Sequence, residues 1–290
     1  MTSVETLRAP ETALPTTAAV GEGPVIDART GRLCWVDITA GELHETILET
    51  QETRTVSVGM TLGAAVPRTS RSGFAVAVAD GFGFADLHGL ELVDVVLPEP
   101  FRRMNDAKCD SHGRLWAGST HLDFAPGEGA LHRWDGRAPS EVMADGITLP
   151  NGIGWSPDDA LMYLVDSMAR EVLVADFSAE AGTVGAFRTL CRVESGLPDG
   201  LAVDVDGCLW VAVWGGSVVQ KYTAEGELVA ECPMPVTQPS SCAFADDGTL
   251  YITSARAGLS DDELVEQPLA GSIFALETNT RGVPVGTFNG

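Results

Sequence analysis

Asn151-Gly-Ile-Gly-Trp-Ser156, a turn at Asp159 and the strand-like run Leu161-Met-Tyr-Leu-Val165 form a phrase that recurs six times along the 290-residue chain. In each copy a polar or small residue opens a short apolar strand, a turn follows, and a second apolar strand leaves it. The other copies are Glu22-Gly-Pro-Val-Ile-Asp27 before Gly31, Ala65-Val-Pro67 before Gly73, Asn105-Asp-Ala-Lys-Cys-Asp110 before Gly113, Asp199-Gly-Leu-Ala-Val-Asp204 before Gly207, and Ser240-Ser-Cys-Ala-Phe244 before Gly248. Successive turn residues lie 42, 40, 46, 48 and 41 positions apart. That is the length of a four-stranded propeller blade and too long for most β-solenoid coils. The runs that leave the turns, such as Arg32-Leu-Cys-Trp-Val36 and Cys208-Leu-Trp-Val-Ala-Val213, are rich in β-branched and aromatic residues, as buried strands are.

The expected fold is therefore all-β: a six-bladed β-propeller with four-stranded antiparallel blades around a central channel. Residues 18–290 are expected as a single propeller domain. Residues 1–17 carry two prolines and weak patterning, and are expected as a loose N-terminal tail, part of which is able to close the ring by pairing with the last sheet. One helix is expected at Ser260–Gln267, where Ser260 caps, Glu263 completes a capping box and Pro268 stops the run.

Composition fits a protein of this kind and excludes several partners. The 32 glycines and 16 prolines supply turns, and 44% hydrophobic residues fill the layers between blades. A net charge of −23 opposes binding to phosphate backbones, so neither nucleic acid nor an anionic membrane is an expected partner. No apolar run reaches 18 residues and the start of the chain is not signal-like, which leads to a cytoplasmic expectation. The six cysteines, Cys34, Cys109, Cys191, Cys208, Cys232 and Cys242, form no C-x-x-C pair and read as free thiols in a reducing compartment.

The repeat also collects chemistry. Glu22, Asn105, Asn151 and Asp199 stand eight or nine residues before their turn residues, nearly the same slot of four different repeats. In a closed radial array equivalent slots face one another, so these four side chains are expected to converge. They offer oxygen donors and two negative charges, which suits a hard divalent cation such as Ca²⁺, Mg²⁺ or Mn²⁺ better than a structural tetrahedral zinc. Asn-Gly and Asp-Gly are also ordinary turn formers. Turn chemistry, however, does not require Glu in one repeat and carboxamide or carboxylate in three others.

Gly21-Glu-Gly-Pro24, Arg103-Met-Asn-Asp106 with Asp110 and Gly113-Arg-Leu-Trp-Ala-Gly118, Asn151-Gly-Ile-Gly-Trp-Ser156, Pro198-Asp-Gly200, and Ala255-Arg-Ala-Gly-Leu-Ser260 with Pro268-Leu-Ala-Gly-Ser272 resemble the gluconolactonase/regucalcin (senescence marker protein 30-like) family of sugar lactonases. The resemblance runs from about Glu22 to Leu276. It implies one divalent metal ion, whether Ca, Mg, Mn, Zn or Fe, at the mouth of the channel, and hydrolysis of a sugar (aldono-) lactone to the aldonic acid. Carried over by position, the metal ligands are Glu22, Asn151 and Asp199, and Arg103 and Asn105 bind the substrate. Where family members often place a substrate-binding Glu, this chain reads Ser119-Thr-His-Leu-Asp123, so that contact falls to Asp123, to His121, or to neither.

In the mechanism this implies, the metal polarises the lactone carbonyl and a carboxylate activates water, with Asp199 the candidate general base and Asp106 the alternative. Arg103 orients the substrate through its rigid fork of donors. Two other readings stand beside it: a calcium-dependent phosphotriesterase or arylesterase-like propeller, and a non-catalytic calcium-binding propeller. Trp214 reads as core or rim, Trp134-Asp135 as a chance dipeptide, and His44, His88, His112 and His132 carry no ligand spacing.

Overall fold

A computed structural model describes residues 4–27, 29–69 and 72–290. The described residues form six sheets, each built on a four-stranded antiparallel meander, the first of them Gly21–Asp27, Arg32–Asp37, Glu42–Ile47 and Glu52–Ser57. The innermost strands of the six are Gly21–Asp27, Leu62–Pro67, Arg102–Cys109, Pro150–Trp155, Leu197–Val203 and Pro239–Phe244. Each packs against the next, and Pro239–Phe244 packs against Gly21–Asp27, so the ring closes into a six-bladed β-propeller. Most residues of these inner strands are buried, and six apolar clusters fill the spaces within and between blades.

The turn between the two innermost strands explains the recurrent phrase. Asp110 Oδ1 accepts from the backbone N–H groups of His112 (3.0 Å) and Arg114 (3.1 Å), while its Oδ2 accepts from Trp116 Nε1 at 2.9 Å and Arg114 Nε at 2.7 Å. Two blades later Asp204 repeats the pattern with Asp206 and Cys208 backbone, Trp210 Nε1 (3.0 Å) and Lys221 Nζ (3.0 Å). An Asp that closes the turn and a Trp six residues on thus tie one blade's two inner strands together. Both aspartates are fully buried, and each is satisfied by several donors, including a cation, which offsets the cost of desolvating a charge.

Both chain ends are fastened to the ring. Within the segment 1–17 read above as a loose tail, Glu11–Leu14 is the outer strand of the sixth blade, antiparallel to Ile273–Glu277, and Glu5–Thr6 lies parallel to Leu228–Pro233 of the fifth. At the other end residues 281–290 cross the face where the inner strands finish. Val283 N–H donates to Val203 O (2.9 Å), Phe288 N–H to Pro67 O (2.9 Å) and Asn289 N–H to Gly113 O (3.0 Å), so this strap touches the fifth, second and third blades. Phe288 is fully buried and stacks on Trp134, with ring centroids 5.1 Å apart. The dipeptide Trp134-Asp135 is thereby one half of the strap's anchor. The helix Asp261–Glu266 carries the expected capping box of Ser260 and Glu263.

Substituting Phe288 by Ala empties a fully buried aromatic site and is expected to cost about 3–5 kcal/mol. Thermal and urea unfolding of the variant check this, and an unchanged midpoint would show that the strap is not anchored there.

Candidate functional site

The slot residues stand where every inner strand is irregular. Pairing with the second strand shifts register between Glu22 and Val25, Leu62 and Ala64, Met104 and Ala107, Pro150 and Ile153, Pro198 and Leu201, and Pro239 and Ser241. Six β-bulges are thus in line around the channel, each inserting one residue near the start of its strand. Asn105, Asn151 and Asp199 sit within their bulges. Glu22 immediately precedes Gly23-Pro24, which accounts for its spacing of nine rather than eight from the turn residue.

Neighbouring bulges touch. A Cβ on Gly63 would lie 2.2 Å from the Asn105 carbonyl oxygen, and one on Gly200 would lie 1.9 Å from Ser241 Oγ, so these positions admit no side chain. Gly152 likewise abuts the Asp199 carbonyl, Asn105 Nδ2 donates to Pro150 O at 2.9 Å, and the Ser240 hydroxyl donates to Gly21 O. The first, third, fourth and fifth blades therefore present Glu22, Asn105, Asn151 and Asp199 at one level of the channel. That level is the end opposite the C-terminal strap.

The hydrogen bonds divide the four residues into two pairs. Asn105 is spent on the protein: its Oδ1 accepts from Arg103 Nη1 at 2.6 Å while its Nδ2 holds Pro150. Asn151 donates through Nδ2 to Ser167 Oγ at 3.0 Å, and no described residue donates to its Oδ1. Glu22 accepts from Gly23 N–H through Oε2, whereas its buried Oε1 has no partner. Asp199 is buried and receives no hydrogen bond from any described residue.

Electrostatics place the acids together. Burial pushes the Glu22 carboxyl well above the usual glutamate range, and the negative charges of Asp199 and Asp106 add to the shift. Asp199 is raised well above the usual aspartate range by burial and by Asp106, with Arg103 opposing. Asp106 is also raised by burial, against the influence of Lys108 and of the Ala107 N–H that its Oδ1 accepts at 2.8 Å. Burial lowers the Arg103 guanidinium, and Asp199 and Glu22 support its charge.

Two side chains join the site without a signal in the slot pattern. Lys108 Nζ crosses from the third blade to donate to Leu201 O of the fifth at 2.7 Å, and its charge favours ionisation of Glu22 and Asp106. Ser167 fixes the Asn151 amide. Lys108 lies just beyond the bulge that holds Asn105 and Asp106, where regular alternation is broken, so no sequence period marks it. Asp123 stands apart from the buried group: its side chain is 91% exposed, on a rim turn where its N–H donates to His121 Nδ1 at 3.1 Å.

Glu22 Oε1, Asn151 Oδ1 and the Asp199 carboxylate are buried or nearly buried oxygens that no described residue satisfies. An unpaired carboxylate in such a place is costly unless a cation compensates it. Two carboxylates and a carboxamide oxygen are the kind of donors that a hard divalent ion takes. Among the described residues no three His, Cys, Asp or Glu side chains cluster as a metal site, and the set here depends on a carboxamide as its third member.

The molecule is thus a six-bladed propeller with an acidic, oxygen-lined site at one end of its channel. It belongs to the SMP-30/Gluconolactonase/LRE-like family, whose conserved region matches residues 20–256. It is 34% identical over 282 residues to the 6-deoxy-6-sulfogluconolactonase of Pseudomonas putida, covering 94% of this chain and 96% of that one. With the L-arabinolactonase of Azospirillum brasilense it shares 34% identity over 278 residues, covering 93% of this chain and 92% of the relative. The crystal structure of regucalcin from Agrobacterium tumefaciens, described as a calcium-binding protein, superimposes with a TM-score of 0.90 at 26% identity, covering 99% of this chain and 98% of that one.

Crowding of these carboxylates gives a stability prediction. The raised Glu22 carboxyl means that the folded metal-free protein holds its proton more tightly than the unfolded chain. That stability is fully present below the ordinary value of 4.5 and is lost as pH rises through the folded value. Glu22→Gln is therefore expected to unfold at the same temperature as the unsubstituted protein or higher at neutral pH in chelator, and to lose the stabilisation that added divalent ion confers on the unsubstituted protein. Calorimetry in both conditions checks this; a variant that melts lower in chelator would show that Glu22 is a net stabilising group.

Proposed function

We propose that the protein is a metal-dependent sugar lactonase that hydrolyses an aldonolactone to the aldonic acid. The observation that carries the reading is the unspent oxygen set of Glu22, Asn151 and Asp199 with the Arg103 guanidinium against it. An enzyme of the lactonase class is also what the named relatives support, over nearly the whole chain.

Glu22, Asn151 and Asp199 would hold the ion. A divalent ion bound there supplies Lewis-acid polarisation of a carbonyl oxygen. Arg103 orients the lactone and its hydroxyls, and is itself aimed by Asn105, whose Oδ1 it donates to, so Asn105 acts on the substrate in part through Arg103. Asp199 accepts the proton of the attacking water at its carboxylate. It suits that task better than Asp106, one of whose oxygens is already engaged by the Ala107 N–H. Asp123, on the rim, accepts a hydrogen bond from a ring hydroxyl of the substrate. Lys108 balances the third carboxylate from below.

The regucalcin likeness supports calcium as one ion the site accepts. The six unpaired cysteines support a reducing compartment such as the cytoplasm, and no helix among the described residues is long and apolar enough to cross a membrane. The small-molecule lactone is the partner this reading requires.

Turnover of a panel of aldonolactones and phosphotriesters, followed by proton release with and without chelator, tests the proposal: lactones only, and only with metal, is the expected result. Phosphotriester turnover without lactone turnover would replace it. Arg103→Ala should lower kcat/KM for the lactone by about tenfold to a few hundredfold while metal affinity changes little. Asp199→Asn keeps size and one ligating oxygen, and is expected to lower kcat by about 10²–10⁴-fold with metal still bound. Near-normal turnover in that variant would move the general base to Asp106.

A further inference from the structure

The rim beside Arg103 is apolar where a polyol site would be polar. The turn that follows Leu115–His121 places Leu122 and Phe124 in solvent at 48% and 36% exposure, next to Phe101 at 45%. The backbone holds these residues on one turn: Leu122 N–H donates to Phe101 O (2.8 Å), Phe124 N–H to His121 O (2.9 Å), and the Phe101 and His121 rings stand 5.3 Å apart. The cluster is continuous with the site, because Arg103 pairs with Thr120 and Arg102 with His121 in the same two strands. On the fourth blade Met168, 43% exposed, follows Ser167, whose hydroxyl holds Asn151.

Phe124 carries a second mark. Its φ is +53°, in the left-handed region that glycine and asparagine occupy cheaply and bulky residues rarely do. Of the five non-glycine residues with such φ values among the described residues, it is the only apolar one. An aromatic side chain held in a strained backbone and left about a third exposed is costly twice over, and a turn alone would be better served by Gly or Asn. Strain of this kind gathers at ligand-binding positions.

We infer that Phe124 and Leu122, with Phe101, are specificity-determining residues that select lactones whose exocyclic group is apolar, deoxy or alkyl, over those ending in a hydroxymethyl. The inference rests on the lactonase reading and names its substrate class. Arg103 pairs with Thr120 on the strand that leads to the Phe124 turn, so in this inference the ring held by Arg103 lies on the third blade with its exocyclic carbon directed to that blade's rim. A hydroxyl laid there exchanges water for carbon and finds no partner except the Asp123 carboxylate, whereas a methyl group buries apolar surface against the Phe124 ring. Discrimination by an apolar surface against an added hydroxyl reaches about 10²-fold when enclosed, so an open rim is expected to give about tenfold.

The test uses L-fucono-1,4-lactone and L-galactono-1,4-lactone, which differ only in the hydroxyl at C6, with the metal-loaded full-length protein. The ratio of their kcat/KM values is expected to favour the deoxy compound by about tenfold. Phe124→Asn, which suits the left-handed backbone, is expected to bring that ratio close to one with no fall in melting temperature; Leu122→Ser is expected to reduce it to an intermediate value. A ratio at or below one in the unsubstituted protein, or a ratio that neither substitution moves, would overturn the inference while leaving lactone hydrolysis intact. A concentration-dependent dimer that Leu122→Ser dissolves, with the ratio unmoved, would assign the patch to self-association and overturn it equally. If neither these nor any aldonolactone is turned over, the lactonase reading falls and the inference falls with it.

Discussion

Three carboxylates, those of Glu22, Asp106 and Asp199, are held in the channel with few hydrogen bonds to share among them. Their mutual repulsion and desolvation are opposed by Arg103 on one side and Lys108 on the other. Such a group does not assemble for its own stability; the closed ring imposes it. Inner strands that must touch their neighbours on both sides cannot splay, and the glycines beside the bulges bring the backbones so close that the acids have no room to retreat. A bulge turns its residue out of the strand's regular alternation, which is how six ordinary β-strands come to deliver four oxygen-bearing side chains to one level.

The fold was legible because it repeats. A phrase of polar opener, apolar strand, turn and apolar strand at blade spacing specifies the sheets, and the aspartates at its end, Asp110 and Asp204, are the groups that lock each turn to a tryptophan six residues later. The common slot of Glu22, Asn105, Asn151 and Asp199 was legible for the same reason. What the slot could not separate is a residue with free donor atoms from one whose atoms are spent. Asn105 and Asn151 look alike in sequence, yet the Pro150 carbonyl and the Arg103 fork occupy one, while Ser167 takes only the nitrogen of the other.

Other features depend on distances that no spacing encodes. Lys108 matters because Leu201, 93 residues away, lies within reach across the channel. Phe288 gains its place from Trp134, and the segment 281–290 shows no strand pattern because its polar groups are satisfied singly by three blades rather than by a ladder. The outer strand Glu11–Leu14 has little apolar alternation, since an edge strand of a blade is largely exposed and its pairing comes from the backbone of Ile273–Glu277.

The central claim is that Glu22, Asn151 and Asp199 form a single divalent-cation site. Anomalous difference density from crystals equilibrated with Mn²⁺ tests it most directly. The account predicts one strong peak at the strap-free end of the channel, within ligating distance of Glu22 Oε1, Asn151 Oδ1 and an Asp199 carboxylate oxygen; a peak elsewhere with none between these three side chains would contradict it.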